Sequence, residues 1–207
     1  MAAATSASNS TRPITQRLSP GWAGVMRSRL SLQRSERTIM GLTITAYCGL
    51  EAIDAPRLDG NREPVDVFTV RFYWAPRFPQ RADGLDIARV FRYRNAFEFE
   101  VGTYITHEIF REQLAELANY PAIPLSGKKI CHTNGAIVEA EGPFKELIDF
   151  STTMGTIGPR TARKLANDFS RFMHLVDGER NPLFAELYRN WYVAFALAQH
   201  DGAVRFH

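Results

Sequence analysis

The chain has 207 residues, of which 45% are apolar and 23% charged, an ordinary globular composition that excludes low-complexity and fibrous proteins. It contains no run of about 20 apolar residues, so we expect no membrane-spanning helix and no membrane partner. The formal net charge of +3 arises in residues 1–39, which hold six Arg and one acid, and the rest of the chain is close to −2, which disfavours a nucleic-acid partner.

The first 39 residues differ in composition from the rest, because they are rich in Ala, Ser, Thr and Arg and nearly free of acids. Three interpretations stay open: a transit peptide, a disordered basic tail, or translation that starts at Met40. We favour the third, since a strand-like segment follows Met40 at once. The expected organisation is a disordered leader or misassigned start over residues 1–39 and a single cytoplasmic domain over residues 40–207.

Three strands are predicted in the first half of this domain. Leu42–Cys48 alternates apolar and polar residues, which is typical of a strand. Val65–Trp74 carries bulky side chains on both faces, which predicts a central strand covered on both sides. In Arg89–Val101 the apolar side chains alternate with Glu98 and Glu100, which are expected to point outward. The segments between these strands, 49–64 and 75–84, are rich in Pro and Gly and predict loops.

Helices are predicted in the second half, from apolar residues that recur every three or four positions. They are Thr106–Leu117, Pro143–Phe150, Arg160–Val176 and Pro182–Gln199. Ile109 and Leu183 are assigned to buried stripes, and Thr106 is a candidate cap of the first helix. Residues 119–142 are irregular, with short strands expected at 130–131 and 136–138, and Ala203–Phe206 predicts an edge strand. The predicted fold is α+β, with a small antiparallel N-terminal sheet packed by three to four C-terminal helices.

Two segments carry a resemblance to a known family. Asp149-Phe150-Ser151 precedes the sequence Gly155-Thr156-Ile157-Gly158-Pro159, and the chain closes on Phe206-His207. This pattern resembles an uncharacterised family of small bacterial and phage proteins with an Ile-Asn-Phe-Ser segment, a Gly-Thr-Ile-Gly-Pro turn and a C-terminal Phe-His. The likeness covers roughly residues 143–207. It implies a bacterial or phage origin but no activity, and this chain has Thr153 and Met154 where acids are expected in that family.

The segment Gly155–Pro159 is the main candidate site, because two glycines and a proline predict a tight turn that opens a helix. Unpaired N–H groups at a helix start can bind an anion. The candidate anion-binding residues are Thr153, Gly155, Thr156, Gly158, Arg160 and Lys164. The alternative is purely architectural, with Gly158 as a cap and Pro159 as the first helical residue. The segment lacks the Gly-Lys-Ser/Thr end of a phosphate-binding P-loop.

Other combinations of residues point less clearly to chemistry. His107-Glu108 lacks the second histidine of a zinc motif, since Arg111 occupies that place, and no metal or cofactor is expected. Cys131-His132 has no identifiable orienting acid for nucleophilic catalysis, and reduced, buried thiols are expected at Cys48 and Cys131.

Three further sets of residues allow more than one interpretation. Glu98 and Glu100 share a strand face, which suits acid–base chemistry but is equally typical of a solvated face. The C-terminal Phe206-His207 is interpreted as the end of a docked strand. Arg and Tyr side chains gather around two predicted strands, as on a surface that stacks single-stranded bases. They are Arg71, Tyr73, Arg77, Arg89, Arg92, Tyr93 and Arg94.

The sequence therefore supports one leading function and two alternatives. The first is a bacterial or phage accessory protein that acts as a non-enzymatic binding module for a protein or a small anionic ligand. The alternatives are an enzyme that acts on a phosphorylated or nucleotide substrate and a single-stranded nucleic-acid binder. Homo-oligomerisation through the aromatic-rich segment Leu183–Phe195 also stays open, with core packing as the default.

Overall fold

The structure, a computed structural model, describes residues 41–125, 127, 129–176 and 181–207, so the interpretations of residues 1–39 lie outside the described residues. The described residues form an α+β fold, as the order of predicted elements indicates. The strands are β1 (Leu42–Cys48), β2 (Glu51–Ile53), β3 (Thr69–Arg71), β4 (Val90–Arg92), β5 (Asn95–Gly102), β6 (Gly155–Ile157) and β7 (Ala203–Phe206). The helices are α1 (Tyr104–Leu117), α2 (His132–Val138), α3 (Lys145–Ile148), α4 (Pro159–Val176) and α5 (Pro182–Ala198), with a 3₁₀ helix at Pro79–Ala82.

The main sheet has four antiparallel strands in the order β5-β1-β7-β6. Strand β7, at the C-terminus, therefore lies between two neighbours, and the prediction of an edge strand there is wrong. The alternation in β1 turns Ile44 and Ala46 toward the helices, where both are fully buried. Outward placement of Glu98 and Glu100 on β5 is confirmed, because both are exposed while Phe99 between them is buried.

The core between this sheet and the helices is built from large aromatic side chains. Trp191 of α5 is fully buried, and its ring centroid lies 5.2 Å from that of Phe99 and 5.5 Å from that of Phe206. The ring centroids of Phe169 on α4 and Tyr188 on α5 lie 4.7 Å apart. Each aromatic residue buries about 150–250 Å², so these contacts dominate the apolar burial that joins α4 and α5 to the sheet.

A second antiparallel sheet has the order β2-β4-β3 and shares a smaller apolar cluster with Tyr47 and Ala203 of the main sheet. The predicted strand Val65–Trp74 is reduced here to the three residues of β3, which is an edge strand. Phe68 adopts a left-handed conformation (φ +59°), which breaks the alternation just before β3. Phe68 and Trp74 are each 57% exposed, so the expectation of a central strand covered on both sides is wrong.

The predicted strand Arg89–Val101 is two strands, β4 and β5, which belong to different sheets. Tyr93 and Arg94 carry the chain between them: the Tyr93 N–H donates to the Phe68 carbonyl, and the Arg94 N–H donates to the Cys48 carbonyl, both at 2.9 Å. The predicted loop 49–64 likewise contains β2. Both differences arise because strand pairing is decided by distant partners rather than by the local pattern.

The helices agree with the predicted periodic segments except at particular positions. Helix α1 begins at Tyr104 and is capped by Thr103, whose hydroxyl accepts the Thr106 N–H at 3.2 Å. Ile109 and Leu183 are 54% and 53% exposed, so their assignment to buried stripes is wrong. Residues 136–138, predicted as a strand, belong to α2. In the described part of the chain, no helix is long and apolar enough to span a bilayer.

Candidate functional site

The predicted anion-binding turn forms a strand followed directly by a helix. Gly155–Ile157 pairs with β7 as β6, and Pro159 is the first residue of α4, as the architectural alternative proposes. The Gly158 N–H donates to the Arg81 carbonyl at 2.7 Å, and the buried Thr156 hydroxyl accepts the Tyr73 N–H at 3.3 Å. These backbone and hydroxyl groups therefore already have partners within the chain.

The charged residues of the predicted turn point to separate carboxylates. Arg160 lies 3.3 Å from the Asp83 carboxylate, and Lys164 contacts Glu146 and lies 2.7 Å from Asp168. Thr153 is exposed ahead of β6. The structure thus gives these residues three different surroundings, and an anion site at this position stays a prediction.

A cleft of about 590 Å³ lies elsewhere, between α1 and the segment that runs through α2. Its lining combines apolar, hydroxyl, amide and charged side chains. The lining residues are Tyr104, Glu108, Ile109, Arg111, Glu112, Gln113, Lys129, Ile130, Cys131, Thr133, Asn134, Ile137 and Ser151. Its volume lies within the roughly 300–1,000 Å³ typical of small-molecule sites, so this cleft (the α1–α2 cleft) is the candidate functional site.

The helix α2 forms one wall of the cleft, and Glu112 of α1 holds the start of that helix in place. Its carboxylate accepts the backbone N–H groups of His132 (2.7 Å) and Thr133 (2.9 Å) and the Thr133 hydroxyl (2.7 Å). Partial burial raises the pKa of Glu112, but these hydrogen bonds outweigh it and hold the pKa below its ordinary value. The N-terminus of α2 therefore binds an anion that the chain itself provides.

Arg111 lies at the floor of the cleft and is 5% exposed. Its Nη1 donates to the Ile148 carbonyl at 2.6 Å, whereas Nη2 lies 4.0 Å from the Glu108 carboxylate, beyond hydrogen-bond distance. Nε is buried and has no hydrogen-bond partner among the described residues. Burial lowers the pKa of Arg111, which means that the protein holds this charge at an energetic cost.

Cations and carboxylates occur together around Arg111, since Glu108 and Glu112 line the cleft with it and Asp149 lies nearby. Lys145 and Arg81 lie 2.9 and 3.5 Å from the single carboxylate of Asp149, which also acts electrostatically on Arg111. The Asp149 carboxylate is therefore shared among three cations, and Lys145 obtains further acceptors from backbone carbonyls of α2. An anion in the cleft would supply the compensation that Arg111 lacks.

Three of the five histidines lie within hydrogen-bond distance of a polar atom of the chain, and a fourth is fully buried. His132 Nδ1 lies 2.6 Å from the Tyr120 carbonyl, and His174 Nδ1 lies 3.0 Å from the Arg171 carbonyl. His107 is fully buried against Trp191. His207 lies 2.7 Å from the Thr45 hydroxyl. Within the described ranges, no group of three or more His, Cys, Asp or Glu side chains could hold a metal ion.

Glu98 and His207, which are far apart in the sequence, both contact Thr45 of the main sheet. The Thr45 hydroxyl donates to Glu98 at 3.0 Å and contacts His207 Nε2 at 2.7 Å. Thr45 is 4% exposed, so this network is closed to a substrate at its centre. Burial, followed by the charge of Arg205, lowers the pKa of His207, so the imidazole is neutral around pH 7.

Three members of the predicted basic and aromatic set, Arg71, Arg89 and Tyr73, have polar partners within the chain. Arg71 donates to the Arg62 carbonyl, and Arg89 contacts Asp54. Tyr73 contacts Glu63, and Arg205 lies over the Tyr73 ring at 5.3 Å. These contacts occupy groups that base stacking and phosphate binding would need.

The cysteines Cys48 and Cys131 are both free and half-buried, rather than buried as expected. Cys131 lines the α1–α2 cleft and precedes α2, while Cys48 ends β1. The two thiols therefore lie in different parts of the molecule, one in the cleft lining and one at the end of a strand.

The sequence carried one signal for the cleft that its interpretation missed. Arg111 lies beside the apolar stripe of α1, between the fully buried Phe110 and Leu114, and a charge at such a place indicates a buried, partnered group. Comparison with protein-family models, curated proteins and solved structures gives no significant match, so the function has to be argued from the cleft itself.

Proposed function

We propose that this protein is a binding module for a small anionic ligand, held in the α1–α2 cleft against Arg111. The observation that carries the proposal is the buried Arg111 guanidinium in the lining of the cleft, whose Nη2 lies 4.0 Å from the Glu108 carboxylate, beyond hydrogen-bond distance. The burial that lowers the pKa of Arg111 supports it, because a ligand anion would offset the cost of burying this charge.

An enzymatic function on a phosphorylated or nucleotide substrate is the second candidate. It requires a general base beside the bound anion. Glu112 is the better buried of the two cleft carboxylates, but it is engaged by the N-terminus of α2, and Glu108 is half exposed. The binding module therefore has the stronger support.

Thermal unfolding of the full chain tests the proposal, with acetate, benzoate, inorganic phosphate, sulfate and nucleotides as probes. A ligand at about 100 times its dissociation constant adds about 2.7 kcal/mol to the free energy of unfolding. For a chain of this size that corresponds to a shift of about 5–10 °C. We expect at least one probe to produce it.

Two arginine variants decide where the anion binds. Arg111→Met should abolish the ligand-induced shift, whereas Arg160→Met, which alters the predicted turn, should leave it unchanged. Arg111 also donates a hydrogen bond to the Ile148 carbonyl, so its replacement changes the melting temperature even without ligand. The measured quantity is therefore the change in melting temperature on adding ligand. A shift lost only in Arg160→Met would move the site to the turn, and an unresponsive panel would overturn the proposal.

Glu108→Gln gives a second test that does not remove Arg111. The Glu108 carboxylate lies 4.0 Å from Nη2 and competes with any ligand anion. Its neutralisation should tighten anion binding several-fold, with a smaller effect at high salt because the group is half exposed. Weaker binding in Glu108→Gln would contradict an anion at Arg111.

A further inference from the structure

The surroundings of the Arg111 guanidinium restrict the charge of the anion. Nη1 is engaged by the Ile148 carbonyl and Nε is buried, which leaves Nη2 as the nitrogen for a ligand oxygen. The nearby Glu108 carboxylate repels a doubly charged phosphate more strongly than a singly charged acid.

The rim of the cleft restricts the rest of the ligand. Ile109, Ile130 and Ile137 are 54%, 60% and 39% exposed, and Tyr104 is 40% exposed. All four line the α1–α2 cleft, together with its polar and charged side chains. Grouped exposed apolar side chains of this kind mark a binding surface, because their burial by a ligand is favourable.

We infer that the ligand is a carboxylate on an apolar body, with the carboxylate at Arg111 and the apolar part against the isoleucines; this inference rests on the proposed function. The cleft volume of about 590 Å³ is far larger than acetate requires. The same chemistry is offered by a free branched or aromatic acid and by the C-terminal residue of a peptide chain.

Alkylation of the two cysteines by iodoacetamide tests the inference on the full chain. Cys131 lines the cleft and should be protected by a bound ligand, while Cys48 on β1 serves as the internal control. The probes are 4-methylpentanoate, acetate, inorganic phosphate, and a peptide that ends in Leu with either a free or an amidated C-terminus. We expect 4-methylpentanoate to protect Cys131 at a concentration roughly 50-fold lower than acetate requires. The reason is that it buries about three more methylene groups in the cleft.

A pair of isoleucine variants separates the apolar contact from the charge. Ile137→Ser should weaken the binding of 4-methylpentanoate roughly tenfold and leave the binding of acetate unchanged, because Ile137 lines the cleft. Ile105→Ser is the matched control, since Ile105 is 66% exposed on α1 but does not line the cleft. Equal losses in the two variants would contradict the placement of the apolar body.

The outcomes distinguish this inference from the proposed function. Protection by the free-ended peptide but not by the amidated one identifies a chain terminus as a source, and protection by 4-methylpentanoate alone identifies a free acid. Protection by phosphate that exceeds that of both acids, and is lost in Arg111→Met, overturns the carboxylate inference but keeps the anion site. Absence of protection by every probe overturns both.

Discussion

Six buried polar atoms of the described residues lack a hydrogen-bond partner. They are Nε of Arg81, both ring nitrogens of His107, Nε of Arg111, Oδ1 of Asp149 and Nε1 of Trp191. An unpaired buried polar group costs about 1–3 kcal/mol. Burial, followed by the charge of Arg111, lowers the pKa of His107 to about 3, so His107 is neutral in the folded protein above that pH.

His107 should make the folded state sensitive to acid. The unfolded imidazole takes up its proton near pH 6.5 and the folded one only near pH 3. The unfolded state therefore binds more protons between these values, and stability should fall by about 1.4 kcal/mol for each pH unit below about 6. Urea unfolding at pH 7, 6 and 5 measures this slope.

The matched variant is His107→Leu, which keeps an apolar side chain in the same place. It should lose the histidine contribution to the slope while retaining that of the carboxylates. At pH 7 it should be as stable as the native chain or more so, because two unpaired nitrogens are removed. Identical slopes in the two proteins would show that His107 titrates normally.

At the scale of elements, α2 depends on a side chain from another helix. This helix has seven residues, too few to be stable alone, and its own N-cap residue, Cys131, makes no capping hydrogen bond. Glu112 of α1 supplies the cap through three hydrogen bonds. The α2 wall of the cleft therefore exists because α1 lies beside it.

Glu112→Ala should accordingly destabilise the protein by about 1–2 kcal/mol and weaken ligand binding in the cleft. Glu116→Ala is the control, since Glu116 is exposed on the same helix and the substitution has the same helix propensity. Chemical denaturation gives the stability, and hydrogen exchange of residues 132–138 reports on α2. Equal stability of the two variants would contradict the capping role.

The junction between β6 and α4 is held by close backbone packing. A Cβ added at Gly158 would lie 2.5 Å from the Asp83 carbonyl oxygen and 2.7 Å from backbone atoms of Ala82. These backbone atoms cannot move away as a flexible side chain would. Close approach is therefore sufficient to explain Gly158 without a ligand.

Gly158→Ala should cost about 3 kcal/mol or more. Gly60→Ala is the control, because nothing lies within 4 Å of the added Cβ there and the effect should stay within about 0.5 kcal/mol. Thermal and urea unfolding of both variants test this. A Gly158→Ala protein with native stability would rule out the close approach and reopen the anion site.

At the scale of the whole molecule, the last strand lies between the first strand and a strand that precedes α4. Strand β7 pairs with β1 on one side and β6 on the other, and His207 exchanges two backbone hydrogen bonds with Thr43. Phe206 is 2% exposed and packs against Trp191 and Phe150, with ring centroids 5.5 and 4.8 Å away. The fold therefore requires the C-terminal strand to be in place.

Phe206→Ala should destabilise the protein by about 3–5 kcal/mol, through lost apolar burial and the cavity left behind. Leu183→Ala is the control, since Leu183 is 53% exposed and its loss should cost less than about 1 kcal/mol. Denaturation with urea measures both changes. A small effect of Phe206→Ala would mean that β7 contributes little to the core.

The sequence alone determined the elements whose burial pattern is local. Strand β1 and helices α4 and α5 follow from periodic apolar residues, and Pro159 and Pro182 open helices where prolines are favoured. The α+β class follows from the order of these elements. The resemblance to a bacterial and phage family and the anion site at Gly155–Pro159 stay predictions.

Only the tertiary structure decided the division into two sheets, the central place of β7 and the α1–α2 cleft. Glu112 meets residues 20 and 21 positions away, and Arg111 meets Ile148 at a separation of 37. Such contacts depend on which faces pack together, and no local periodicity encodes that choice. The sequence predicted a site at the glycine-rich segment, whereas the packing of α1 placed the buried charge of Arg111 in the lining of an open cleft.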